Sequence, residues 1–113
     1  MARSVCTGES WVERPLPPDK FKEVIDPAFE IDWYCSMFRV SPPKIVRQTV
    51  GTRIFHGSYN RKLEAVNFTK PLLGVVLHEL AHHICHKQGL NGHGTHHGRN
   101  FGRVLQEMID MVL

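Results

Sequence analysis

The chain has 113 residues, with 14 basic and 11 acidic side chains and a formal charge of +3 when histidine is neutral. That length holds one domain with a modest core and is too short for two, and 42% hydrophobic with 22% charged residues excludes a disordered or fibrous chain. The longest uncharged apolar run, residues 72–77, falls far short of the roughly 20 residues that cross a bilayer as a helix, so no membrane span is expected.

The opening "MARSVCTGESWVER" has no apolar h-region, and its acidic residues come too early for a transit peptide; the expected address is intracellular, in the cytoplasm. Cys6, Cys35 and Cys85 are odd in number and widely spaced, which fits neither a disulfide framework nor a ribbon of paired zinc cysteines. They are expected to be reduced, with Cys85 in the core. Charge is distributed unevenly: residues 1–38 hold four basic and seven acidic side chains, whereas residues 39–103 hold ten basic and two acidic, formally +8. Such a bias can attract nucleic acid or another polyanion, and dispersed lysines and arginines also make an ordinary solvated face.

In chain order, Pro15, Pro17 and Pro18 predict an extended arm. A helix is expected from Asp19, with Phe21, Val24 and Ile25 on one face, interrupted at Pro27. Residues 28–38 carry Phe29, Trp33, Tyr34 and Met37 at helical spacing, read as core residues of an amphipathic helix that "SPP" ends. Residues 1–43 are thus an N-terminal arm and helical segment ahead of a core in residues 44–113.

From residue 44 the texture turns β-branched and aromatic. "KIVRQTV", "TRIFHGSY" and "KLEAVNF" are three strand candidates joined by short turns, which suggests a small meander, in a short antiparallel or mixed three-stranded sheet. Thr69 as N-cap, Pro71 in the first turn and Gly89 as stop frame a helix of about five turns. It is apolar on most sides, and therefore belongs in the interior. A glycine-rich loop follows, and residues 100–113 carry Phe101, Val104, Leu105, Met108, Met111 and Val112 as the packed face of a last helix. The class is α+β: a short sheet on a central helix, flanked by N-terminal and C-terminal helices.

Seven of the eight histidines fall between His78 and His97. His78 and His82 are four residues apart, so on a helix their imidazoles point the same way about one turn apart, as two ligands of one ion must. Glu79 completes the pattern H-E-x-x-H, in which the glutamate is the base that takes a proton from metal-bound water. Burying these three polar side chains in an apolar helix is costly unless a metal or hydrogen bonds compensate. A catalytic zinc needs a third protein ligand and an open fourth position. His83 and His86 share the helix but diverge in direction, and read better as a surface histidine or a cation at the helix C-terminus. His93, His96 and His97 lie beyond Gly89 and can fold back.

"HELAH", a glycine-containing loop and then "HGRNF" resemble the SprT-like (Spartan-like) zinc metallopeptidases, over roughly residues 44–113. The resemblance implies a small zincin-like domain with zinc held by His78, His82 and His97, Glu79 as general base and acid, and Phe101 as the packing residue that anchors the ligand-bearing turn. It also implies a protein or peptide substrate, bound as an added strand along an edge of the sheet. Association with DNA is carried over only in part, with the basic segment as its local support. The residues themselves favour His97, since Gly98 and a packed helix follow it directly. Glu107 is the competing ligand, on the outer face of the last helix. Tyr59, His93 and His96 are candidate donors to the oxyanion. Two alternatives stand beside this reading. One is a non-catalytic structural or interaction module whose zinc is closed by a fourth ligand such as His86, His93 or His96. The other is a repressor-cleaving regulatory peptidase with an acidic third ligand.

Overall fold

A computed structural model describes residues 12–47, 57–89 and 98–113. Its elements are α1 (Pro18–Phe21), α2 (Pro27–Phe38), β1 (Lys44–Arg47), β2 (Gly57–Asn60), β3 (Ala65–Phe68), α3 (Leu73–Lys87) and α4 (Arg99–Val112). The class is α+β, with a mixed sheet. The hub is α3: α1, α2, α4, β2 and β3 all pack on it, and Leu77, Leu80 and Ile84 are wholly buried there with Phe68 and Met108.

The expected helix from Asp19 is a single turn that ends at Phe21. Beyond it the chain is extended, because its backbone is needed elsewhere. Val24 forms a bridge with Leu72, Ile25 N–H donates to Pro71 O at 2.9 Å, and Leu73 N–H donates to Glu23 O at 2.8 Å. These bonds also replace the expected Thr69 cap. The residue before α3 is Leu72, without a side-chain cap, and the first helical N–H is satisfied by Glu23 from across the fold. At the other end Gly89 takes φ +69°, the left-handed conformation that closes a helix at little cost for glycine.

In α2, Asp26 Oδ1 accepts from Ala28 N–H and Pro27 occupies the first turn. The buried stripe is Ile31, Tyr34 and Cys35. Of the residues read as core, only Tyr34 is inside; Phe29, Trp33 and Met37 are 64%, 41% and 55% exposed. The helix is apolar on two stripes, and periodicity alone does not say which one meets α3. Cys35 and Cys85 are buried free thiols, pushed by burial up to about 12 and about 11, and hence protonated and inert.

The sheet is not a meander. Its order is β1-β3-β2: β3 lies in the middle, parallel to β1 with Lys44 opposite Ala65, and antiparallel to β2 with Gly57 opposite Phe68. The turn between β2 and β3 is set by Asn60 Oδ1, which accepts from Leu63 N–H at 3.0 Å, and by Glu64 at φ +51°. Lys44 N–H then donates to Glu64 O, joining β1 to the strand that follows the turn. A central strand is covered on both faces, which is why Ala65, Val66 and Phe68 are buried without strict alternation.

In α4, Phe101, Val104, Leu105, Met108 and Ile109 are buried, while Met111 is 40% exposed and leaves the packed face to which it was assigned. No helix among the described residues is long and apolar enough to cross a membrane.

Candidate metal centre

The ligand atoms of His78, Glu79 and His82 lie within 4.8 Å of one another, a group that can hold a metal ion. The helical spacing of four produces this: the two imidazoles lie one turn apart, edge to face, with ring centroids separated by 5.2 Å. Phe101 reaches across from the first turn of α4 and meets both rings, at 5.0 Å from His78 and 4.4 Å from His82. It is itself buried. An aromatic wall against both imidazoles limits their rotation; the turn that Phe101 was expected to anchor, at His97, lies outside the described residues.

Glu79 is buried in the same group, and burial pushes its carboxyl up to about 7. A carboxyl poised near neutral pH can both accept and return a proton. Its position is set by β2 at Gly57. A Cβ on Gly57 would lie 2.8 Å from Val75 Cγ1, 2.9 Å from the Asn67 carbonyl oxygen and 3.1 Å from Glu79 Cγ. Only a residue without a side chain lets β2 come this close to Glu79.

In metal-free protein this burial has a pH signature. Below the ordinary value of 4.5 the carboxyl is protonated both folded and unfolded, so its environment has no effect on stability. As pH rises from 4.5 to about 7, the unfolded chain releases the proton first, and folding is progressively disfavoured. Urea unfolding of metal-free Glu79→Gln should therefore show a stability advantage over wild type that grows across this window and levels off above it. An advantage that does not change with pH would mean that Glu79 is solvated.

His83 is not a surface histidine. It is wholly buried, with Nε2 2.7 Å from the Ser41 carbonyl oxygen and Nδ1 2.7 Å from the Tyr59 hydroxyl. Burial pushes its pKa down, so the ring is neutral. A carbonyl only accepts, so Nε2–H donates to Ser41, and Nδ1 must accept from Tyr59. The one proton of Tyr59 is thereby committed, which removes this hydroxyl as an oxyanion donor. Tyr59 instead supports the site from behind, its ring nearly parallel to that of His82 at 6.5 Å. Tyr59→Phe should leave the buried Nδ1 unsatisfied at a cost of about 1–3 kcal/mol. A lowered urea midpoint with unchanged slope would report that loss.

His86 also lies apart from the group. Its Nε2 is 3.3 Å from Glu64 Oε2, and Lys87 pairs with the same carboxylate, which the Lys87 hydrogen bond above all holds below its usual range. His86 stands in the last turn of α3, at the negative end of the helix dipole, and outside the group of His78, Glu79 and His82. Glu107 is exposed on α4 and outside the metal group. His93, His96 and His97 lie outside the described residues, so the third ligand expected at His97 is not part of this geometry.

The bonding of His83 was missed at the level of sequence. Its neighbours Ile84 and Cys85, and its place on a helix apolar nearly all round, were the available signal for burial. Its partners Tyr59 and Ser41 are 24 and 42 residues away and left no mark in the local pattern.

Comparison of the chain with family models, with curated proteins and with solved structures finds no match in any of the three. The functional reading therefore stands on the residues and their arrangement.

Proposed function

We propose that the protein is a zinc-dependent endopeptidase of the SprT-like kind, acting on protein or peptide substrates inside the cell. The observation that carries this reading is a buried carboxyl, Glu79, in the turn that bears two imidazoles set edge to face, with its pKa near neutrality. A metal site that only holds a chain together has no use for a desolvated base beside its ligands. His78, His82 and His97 would hold the ion, since imidazole nitrogen is a ligand that suits zinc. When bound, zinc supplies an acidified water and a positive charge next to the substrate carbonyl.

Glu79 accepts the proton of the attacking water and hands it to the leaving amine. Phe101 and Tyr59 keep the two histidine rings in place from opposite elements. The strand of the sheet that approaches Glu79 is β2, through Gly57, and β2 is an edge strand among the described residues. That geometry favours β2 as the edge to which an extended substrate is added. Support for a nucleic-acid partner remains the +8 charge of residues 39–103.

A second reading has its own support. The Glu79 oxygen lies close enough to both imidazoles to serve as a ligand, which would make a non-catalytic metal-stabilised module. Elemental analysis of the purified protein, paired with digestion of an unfolded protein substrate, tests both. Stoichiometric zinc with cleavage supports the peptidase, zinc without cleavage supports the module, and absence of zinc overturns both.

A further inference from the structure

The N-terminal arm matches no pattern singled out in the sequence, yet it builds one wall of a cavity that ends at a proposed metal ligand. The cavity is partly enclosed, has a volume of about 100 Å³ and lies between the arm, α3 and α4. Val12, Leu16 and Phe21 line it from the arm, Leu105 and Ile109 from α4, and His78 from α3. Pro15 and Gly74, one turn before His78, form the remaining surface; a Cβ on Gly74 would run into the ring of Phe21, so the arm sits directly on the helix backbone.

The walls are fixed. Glu13 N–H and Arg14 N–H both donate to Gln106 Oε1, at 2.6 and 2.9 Å, and Gln106 Nε2 donates to Arg14 O at 3.2 Å. The Arg14 guanidinium grips Asp110 with two bonds, at 3.2 and 2.7 Å. An arm held this firmly keeps the space from collapsing, and a space left among apolar side chains costs stability unless something fills it. Preformed apolar pockets with one polar group at an end are the usual form of a ligand site.

We infer that this cavity takes a short aliphatic side chain of the substrate, that of valine, leucine or isoleucine, from the residue beside the bond presented at His78. This rests on the peptidase reading above. Size selects the class: an apolar cavity of about 150 Å³ holds benzene, so about 100 Å³ suits three or four carbons and excludes an indole. Polarity selects it as well. Among the described residues no Asp, Glu, Lys or Arg lines the cavity, so a charged substrate group would be desolvated without a counter-charge from them.

The test is a set of peptide hydroxamates identical except for one side chain: hydrogen, isobutyl, indolylmethyl or carboxymethyl. Their affinity for the zinc-loaded full chain is measured by titration calorimetry. The isobutyl compound should bind at least about tenfold tighter than the glycine analogue, and the indole and carboxylate should gain nothing. Leu16→Trp, which fills the cavity from the arm, should bring the isobutyl ratio close to one and leave the glycine analogue unaffected; Val12→Trp serves the same purpose if the first variant does not fold. A series that binds without regard to side chain, as would follow if another part of the chain filled the cavity, overturns the inference and leaves the metal site standing. Failure of the whole series to bind, glycine analogue included, overturns the open catalytic site and the pocket together. An ordered series on a protein that cleaves no peptide upholds the pocket and sinks the peptidase.

Discussion

Glu79→Gln is expected to keep zinc and the fold while lowering peptide hydrolysis by about 10²–10⁴-fold, the usual contribution of a general base. The amide matches the carboxyl in size and fits the same gap beneath Gly57 and Val75, where the carboxyl now sits desolvated. Nothing in the packing therefore has to move. What is lost is the ability to take a proton, which an amide lacks at any accessible pH. The measurement is the rate of cleavage of an unfolded substrate, with zinc content and thermal melting determined on the same sample. If zinc is lost with the rate, Glu79 is a ligand and the module reading prevails. If zinc and rate both survive, the base lies elsewhere.

The second large effect concerns the ligands. His82→Ala should reduce zinc affinity by more than the roughly 100-fold that loss of a supporting partner can cost, because it removes a coordinating atom itself. A chelator competition read by a metal-sensitive dye measures this directly. His97→Ala should match it if His97 completes the set, while Glu107→Ala should have no effect, in keeping with the exposure of Glu107. Zinc loss in Glu107→Ala with retention in His97→Ala would reverse that assignment. The Phe101→Leu variant separates geometry from coordination: it keeps an apolar contact but removes the flat wall shared by both rings.

Much of the centre could be read from the chain because it is local. His78, Glu79 and His82 lie within five residues, and helical periodicity brings them together without help from any other element. Phe101 was legible for a different reason, as the first large apolar residue of a strongly amphipathic helix. What periodicity could not convey were choices made by distant partners. Phe29, Trp33 and Met37 repeat as regularly as Ile31, Tyr34 and Cys35, and only the position of α3 decides between the two stripes. Thr69 has the right chemistry for a cap, but Glu23 supplies the bond from 50 residues away, as reckoned from Leu73. His83 read as a surface histidine, yet it is buried, with Tyr59 and Ser41 satisfying both nitrogens. Adjacent strands were expected to pair in order, the commonest arrangement, and the insertion of β3 between β1 and β2 departs from it.

That insertion bears on how the sheet assembles. β3 is the last of the described strands in the chain, yet among the described residues neither of the other two has a partner without it. The β2–β3 pair closes across residues 61–64, whereas the β1–β3 pair closes across residues 48–64. Closure entropy grows with loop length, so the short hairpin has the lower barrier and β1 docks onto a template already made. The strand that approaches Glu79 thus belongs to the early, locally encoded half of the sheet, and β1 joins it afterwards.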